Sequence, residues 1–249
     1  MSTFTFARRT LDPGLFSDNA DAMQRFYTDT VGLPLLERLE HDDSYAEIFF
    51  ELPEGKLKVQ ASTNPMEPAS SGYRELYLAR DVSAPITLRD PDGLTVHVVP
   101  PGYRGVTNVG VVCAVPDLEK QRAFLERGMG GTAHEGGIRV GDTQIFLEHD
   151  ATISAASPPM RRGFTYITLV VHEAEECRDA LIAAGASNSL RLMRLADRCL
   201  FAWLRDPHGN WIEILQYAYL SGELPDIDRI ADNWDEVIAW RESGDVPVA

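Results

Sequence analysis

Short runs of alternating apolar and polar residues, interrupted by three amphipathic stretches, set the rhythm of this chain. Residues 19–31 carry Ala22, Met23, Phe26, Tyr27 and Thr30 at helical spacing and run into Gly32-Leu33-Pro34. Residues 116–127 place Leu118, Gln121, Phe124 and Leu125 on one stripe before Gly128-Met129-Gly130, and residues 173–184 do so with Cys177, Leu181 and Ala184 before Gly185. β-rich runs precede the last two helices at 106–115 and 164–171. Shorter strands are expected at 35–38, 45–50, 57–60, 137–140, 143–147, 199–204 and 211–217. The repeating unit is therefore strand, helix and three strands, seen near residues 4–61, 106–149 and 163–217. Residues 73–99 form a fourth, reduced unit, because Arg80 to Pro85 is too short for a helix. A last helix is expected from Asp226 to Arg241, with Ile227, Ile230, Trp234, Val237, Ile238 and Trp240 docking on a sheet.

A segmental echo supports the count. Leu88-Arg89-Asp90-Pro91-Asp92-Gly93-Leu94-Thr95-Val96-His97-Val98-Val99 returns as Leu204-Arg205-Asp206-Pro207-His208-Gly209-Asn210-Trp211-Ile212-Glu213-Ile214-Leu215. Each copy reads as strand, Asp-Pro-x-Gly turn and strand, with proline setting φ and glycine taking the positive-φ position. Alternation then places Leu94, Val96 and Val98 on one face and Thr95, His97 and Val99 on the other. Trp211, Glu213 and Leu215 share that second face in the later copy, so His97 and Glu213 are positional equivalents.

The joins divide the chain. Residues 61–72 and 151–162 are small, polar and proline-bearing, and Pro100-Pro101-Gly102 separates two halves, giving expected domains at 1–102 and 103–220 and a helical extension at 221–249. Composition narrows the partners. A net charge of -15 over 249 residues argues against nucleic acid and anionic membrane. No apolar run approaches the roughly 20 residues that span a bilayer. The N-terminus has no basic start leading into an apolar stretch. The three cysteines (Cys113, Cys177, Cys199) are widely spaced among apolar residues. These features together lead us to expect a reduced, cytoplasmic protein. No glycine-rich phosphate loop suggests a nucleotide cofactor, and no nucleophile elbow is present. His208 sits in a turn and is expected to face solvent, as are His41 and His134, with His172 at a helix start.

Phe26-Tyr27-Thr28-Asp29-Thr30-Val31-Gly32-Leu33, Ala114-Val115-Pro116-Asp117-Leu118, Leu181-Ile182-Ala183-Ala184-Gly185-Ala186 and the two Arg-Asp-Pro-x-Gly hairpins resemble the vicinal oxygen chelate superfamily of glyoxalases, bleomycin-resistance proteins and extradiol dioxygenases. The resemblance implies an α+β fold of four βαβββ units, the second without its helix, paired into two curved mixed-sheet cups that hold a small molecule. It further implies a divalent metal (Fe, Mn, Ni or Zn), held by His or Gln on first strands and Glu on late strands. Units one and two could pair, with three and four, or the pairing could be exchanged as one with four and two with three.

Carried over position by position, Glu213 matches the last-strand glutamate and Tyr166 stands at the first-strand position of its unit. Gly110 stands at the corresponding place in unit three, with Asn108 on its face. Glu75 and His97 take the first- and last-strand positions of the reduced unit, and Glu148 lies near the end of a ligand-bearing strand. The opening strand near Asp12 has no histidine, and Pro13 blurs its register. The candidate metal ligands are therefore Glu213, His97, Glu75 and Glu148, with the exchanged pairing collecting Glu75, His97 and Glu148 in one cup and Tyr166, Glu213 and Asp12 in the other. Glu213 and Tyr166 are the candidate catalytic pair, base or ligand and oxyanion donor. Trp211, Asn108 and Phe146 are candidate substrate contacts.

Two function classes follow from the resemblance: an enzyme (lyase, isomerase or oxygenase) acting on a small oxygenated or aromatic metabolite, or a metal-free protein that sequesters a cationic or aromatic molecule. A homodimer fits either.

Overall fold

The computed structural model describes residues 4–42, 44–153 and 157–244; part of the second join and the end of the tail lie outside the described residues. Unit one contains β1 (Asp12–Ser17), α1 (Ala20–Arg25) prolonged by a wider turn over Phe26–Thr30, β2 (Leu35–Asp42), β3 (Tyr45–Leu52) and β4 (Gly55–Ser62). The reduced unit two has β5 (Tyr73–Ala79), β6 (Ile86–Arg89) and β7 (Thr95–Val99), with no helix after its first strand. Unit three has β8 (Val109–Val115), α2 (Leu118–Gly128), β9 (Thr132–His134), β10 (Gly137–Val140) and β11 (Thr143–His149). Unit four has β12 (Gly163–Val170), α3 (Ala174–Ala183), β13 (Ser187–Leu195), β14 (Cys199–Arg205) and β15 (Trp211–Tyr217). Beyond it come α4 (Ala218–Ser221) and α5 (Trp234–Ser243). Asn19 and Asp117 cap α1 and α2 by accepting from the Ala22 and Lys120 amides, which is why those helices begin where they do.

The strands form two mixed sheets, ordered β13-β14-β15-β12-β1-β4-β3-β2 and β6-β7-β5-β8-β11-β10-β9. Strand pairing thus follows the exchanged arrangement: units one and four share the larger sheet, and units two and three the smaller. Each sheet is sewn at its middle by an antiparallel contact between first strands, β1 with β12 and β5 with β8. The short connection at 100–108 explains the second contact, since sequential elements joined by few residues tend to lie side by side.

Alternation sorts the faces. Leu15, Ile48, Leu57 and Val59 from one sheet and Leu76, Leu78, Val96 and Val111 from the other enter a single shared core with Tyr27, Phe124, Cys177 and Leu181 from the helices. The opposite faces carry separate side-chain clusters and are the candidate cups. Cys113, Cys177 and Cys199 are buried free thiols. Among the described residues no helix is long and apolar enough to cross a membrane.

The echoed hairpins have one architectural role. In each turn the aspartate accepts two backbone N–H groups through one oxygen: Asp90 Oδ1 from Asp92 (3.0 Å) and Leu94 (2.8 Å), and Asp206 Oδ1 from His208 (2.8 Å) and Asn210 (2.9 Å). The other oxygen is taken by a group from another unit. Tyr27 donates its hydroxyl to Asp90 Oδ2 (3.2 Å), and Gln121 donates Nε2 to Asp206 Oδ2 (2.8 Å). One carboxylate therefore closes a turn and anchors a neighbouring unit's helical segment.

Three expectations change. The tail helix begins at Trp234 rather than Asp226, because Arg194 N–H binds the Asp228 carbonyl (2.8 Å) and holds this stretch extended along β13. Strand β13 was not legible, since its alternation is broken by register shifts at Asn188/Leu190 and Leu190/Met193. His208 is half-buried, and its Nε2 is enclosed without a partner among the described residues, because its turn packs inward.

Burial pushes the Asp90 carboxyl up to about 6, with the charge of Asp92 adding to it and the turn amides pulling the other way. A folded value above the unfolded 3.8 means that the native state binds the proton more tightly. This contribution therefore fades as pH rises from about 4 to 6, and the ionised form costs about 3 kcal/mol above that window. Asp90→Asn keeps the acceptor oxygen and can donate to Tyr27. Its stability relative to the parent should rise across pH 4–7 in urea denaturation, whereas a pH-independent difference would refute this account.

Candidate functional site

Strand register defines four corresponding positions in each cup. Within every unit the first strand runs parallel to the last, with Gly14 opposite Lys58, Glu75 opposite Thr95, Gly110 opposite Gln144 and Tyr166 opposite Trp211. Following the same offset, first-strand positions Asp12, Glu75, Gly110 and Tyr166 correspond to last-strand positions Lys58, His97, Phe146 and Glu213. The exchanged pairing therefore gathers Asp12, Lys58, Tyr166 and Glu213 in the cup of the larger sheet. Glu75, His97, Gly110 and Phe146 fall in the other.

In the first cup Lys58 Nζ lies 2.7 Å from Glu213 Oε2 and donates to Thr168 Oγ1 at 3.0 Å, while the Thr168 hydroxyl donates to the same Glu213 oxygen at 2.7 Å. Both charged side chains are about nine-tenths buried or more. Burial draws the Lys58 ammonium down, but Glu213, joined by Tyr217 and Asp12, outweighs it and holds the proton more firmly than in water. Asp12, fully enclosed, accepts the Lys56 N–H at 2.7 Å, and its Oδ2 has no partner among the described residues. Burial raises the Asp12 carboxyl against the pull of Lys58.

Tyr166 crosses the strand beside it because Gly14 has no side chain: a Cβ there would lie 2.0 Å from the tyrosine ring. Its hydroxyl accepts from Gln60 Nε2 at 2.7 Å, and Gln60 Oε1 accepts from Tyr45 at 2.5 Å. Burial, then the charge of Glu213, keeps the Tyr166 phenol protonated, so it can donate. Among the described residues Tyr166 and Glu213 are not hydrogen-bonded to each other; Thr168 and Lys58 hold the carboxylate and Gln60 holds the phenol.

Beside this polar cluster the cup is aromatic. Tyr166 and Trp203 have ring centroids 4.6 Å apart, Trp203 and Trp211 6.1 Å, and Phe16 and Tyr166 5.9 Å. Trp211 donates its indole N–H to the Ser157 carbonyl at 2.8 Å. Val237 and Trp240 of α5 complete the cluster.

In the second cup His97 Nε2 is 2.8 Å from Glu75 Oε2, its Nδ1 is 3.0 Å from Thr87 Oγ1, and its ring stacks on Tyr77 at 4.2 Å. The Arg104 guanidinium sits 4.4 Å from the Phe146 ring centroid and donates to the Tyr77 hydroxyl at 3.1 Å.

The four expected metal ligands do not converge. Glu75 and His97 meet. Glu148 is exposed at the end of β11, with β8 between it and β5, and Glu213 belongs to the other sheet. Among the described residues no three His, Cys, Asp or Glu side chains are placed to hold a metal ion. The donor chemistry gives the reason: a divalent cation on Glu213 would press against the Lys58 ammonium, and no imidazole is at hand. The residues of neither cup fit a divalent metal. The expected substrate contacts are likewise divided. Trp211 lines the first cup and Phe146 the second. Asn108 donates to Thr10 Oγ1 at 3.2 Å, a contact between units outside the four positions of either cup.

Sequence reasoning missed Lys58, Thr168, Gln60, Trp203 and Trp240 as members of the site. Lys58 was hidden by one residue. Pro53-Glu54-Gly55 is a tighter hairpin, with Leu52 pairing to Gly55, so Lys58 follows its glycine by three residues. His97 and Glu213 follow theirs by four.

Comparison with known proteins accords with this architecture. Residues 109–214 match the model of the Glyoxalase/Bleomycin resistance protein/Dioxygenase superfamily. No curated protein sequence matches the chain. Glyoxalase I from Zea mays superposes with a TM-score of 0.66 at 15% identity, covering 84% of this chain and 92% of that one. A putative dioxygenase from Bacillus subtilis subsp. subtilis str. 168 does so with 0.61 at 13%, covering 100% and 98%. At such identities the likeness is one of fold. Residues 109–214 thus resemble the glyoxalase, bleomycin-resistance and dioxygenase superfamily, and the chain as a whole shares the fold of these two solved proteins.

Proposed function

We propose that the first cup is the working site and that the chain is an enzyme acting on a small aromatic carbonyl compound by proton transfer. The observation that carries this reading is the buried Lys58–Glu213 pair beside a bay of aromatic rings. Two charges out of water are costly to keep, and a buried charged group with a specific charge partner is a candidate functional site. Lys58 and Thr168 both bind Glu213 Oε2. Oε1 is therefore the oxygen that takes a proton from a carbon next to the substrate carbonyl. The Tyr166 hydroxyl donates to the oxyanion that forms, and the Lys58 ammonium supplies the fixed positive charge. Trp203 and Trp211 hold the ring of the substrate. No step passes through a metal.

A second reading, binding without turnover, is favoured by the aromatic bay taken alone and by the net charge of -15, which suits a cationic aromatic ligand. Glu213→Gln separates the two. Solvent-deuterium exchange into aryl ketones with an acidic C–H bond, followed by proton NMR, should be catalysed by the parent. It should fall by about 100-fold or more in Glu213→Gln, in the range expected for losing a positioned base. Exchange that survives the substitution would remove Glu213 from the chemistry. Ligand binding with no exchange in either protein would favour sequestration.

The ion pair also makes a stability prediction. Lys58→Met leaves Glu213 buried without its counter-charge and should cost about 3–5 kcal/mol, while Lys58→Met with Glu213→Leu should recover most of that loss. Urea denaturation of the two variants tests it. A Lys58→Met protein as stable as the parent would show that the pair is not a buried, coupled unit.

A further inference from the structure

The aromatic half of the first cup is already filled, and by the protein itself. Trp240 lies 5.0 Å from Trp203 and meets Trp211 edge-on at 6.3 Å, so an indole occupies the bay that the proposed function assigns to a ligand's ring. Its Nε1 is buried with no hydrogen-bond partner among the described residues, an imperfect fit for a permanent core residue. The helix that carries it is weakly held. Of its ten residues only Val237 and Trp240 are buried, while Trp234 and Ile238 are exposed. Asn233 makes no side-chain capping bond. A helix of this length is marginal by itself in water.

The remaining attachments are polar; one is buried, the Ser189 hydroxyl donating to the Gly244 carbonyl at the helix end, and the others lie nearer the surface. Arg191 bonds to Asp228, to Glu236 Oε2 at 2.8 Å and to Asn233 Oδ1 at 3.0 Å; Arg205 donates to the Gly244 carbonyl at 3.2 Å; and the Arg241 guanidinium sits 5.5 Å from the Tyr45 ring centroid. Arg191 therefore ties both the extended strap at Asp228 and the helix to β13.

We propose that α5 is a built-in plug whose Trp240 competes with the ligand, and that the ligand it mimics carries a planar fused ring system of indole size. This rests on the reading of the first cup as the ligand site. Entry of such a ring displaces Trp240 and frees α5, and the rest of the molecule is directed toward Lys58 and Glu213. Because the closed and open states compete, anything that loosens α5 tightens ligand binding by the same factor.

Trp240→Ala is not the deciding variant, since the hole it leaves would accept an indole in any protein. Arg191→Gln is better: it leaves every ring in place and weakens the tether. With indole and 2-naphthol as probes, the full-length Arg191→Gln protein should bind about tenfold more tightly by calorimetry than the parent. Adding the probe to the parent should also speed tryptic cleavage at Arg241, which lies within α5. Trp203→Leu in the Arg191→Gln background should abolish the gain. Equal affinity in parent and Arg191→Gln, with Arg241 no more cleavable when probe is present, would overturn the plug. That result is independent of deuterium exchange, so loss of the proton-transfer reading would leave the plug standing, and loss of the plug would leave the Glu213 chemistry untouched.

Discussion

The ion pair between Lys58 and Glu213 is the constraint on which the larger sheet depends. It joins the last strand of unit one to the last strand of unit four across the two first strands between them. Thr168 lies on one of those strands and binds both partners. An ammonium and a carboxylate buried together attract far more strongly than in water, yet either alone is heavily penalised. The two units are therefore coupled: their strands must meet in the register that places these groups 2.7 Å apart. A one-residue slip of β4 would turn Lys58 into the apolar core and Val59 into the cup. The pair thus fixes register as well as charge.

Its complement is the aspartate of each Pro-x-Gly hairpin. Asp90 and Asp206 close their turns and then reach a helical segment from another unit, Tyr27 in one case and Gln121 in the other. The echo that marks the chain most visibly is explained by architecture. Asp206 is further held by Asn210, whose Nδ2 donates to it at 2.9 Å and whose Oδ1 accepts the Gly72 N–H at 2.7 Å. The hairpin of unit four is in this way fastened to the join before unit two, where the chain crosses between sheets. Cup chemistry is free to vary because this scaffold lies elsewhere.

The repeating unit, the lost helix, most strands and the equivalent placing of His97 and Glu213 on their own strands were legible because they depend on local alternation and turn chemistry. The exchanged pairing was one of two open alternatives. Pairing is decided by side chains far apart in sequence, and no local pattern reports that Lys58 meets Glu213. Lysine in an alternating strand reads as a solvated face. It is buried here because β4 is flanked on both sides and its outward face is roofed. The aromatic bay was half visible. Tyr166 and Trp211 stand on strands found by pattern, whereas Trp203 and Trp240 matter only once β14 and the tail are placed in space.

The two cups, compared position for position, show how one scaffold holds two chemistries. The first has Asp12, Lys58, Tyr166 and Glu213, two carboxyls and one ammonium, with a phenol that can donate. The second has Glu75, His97, Gly110 and Phe146, where glycine and phenylalanine remove two of four polar positions and leave one carboxylate–imidazole pair. Glu75 is about one-third exposed at its side chain, and an ion pair reached by water contributes little beyond about 1 kcal/mol. The Lys58–Glu213 pair is sealed. Electrostatic work on a bound molecule is done best where water is kept out, because fixed charges there are not screened. The same seal that gives the first cup its electrostatic strength also bars a ligand from it. A site of this kind needs a part that moves, and α5, with two buried side chains among its ten residues, is the helix that covers its aromatic half.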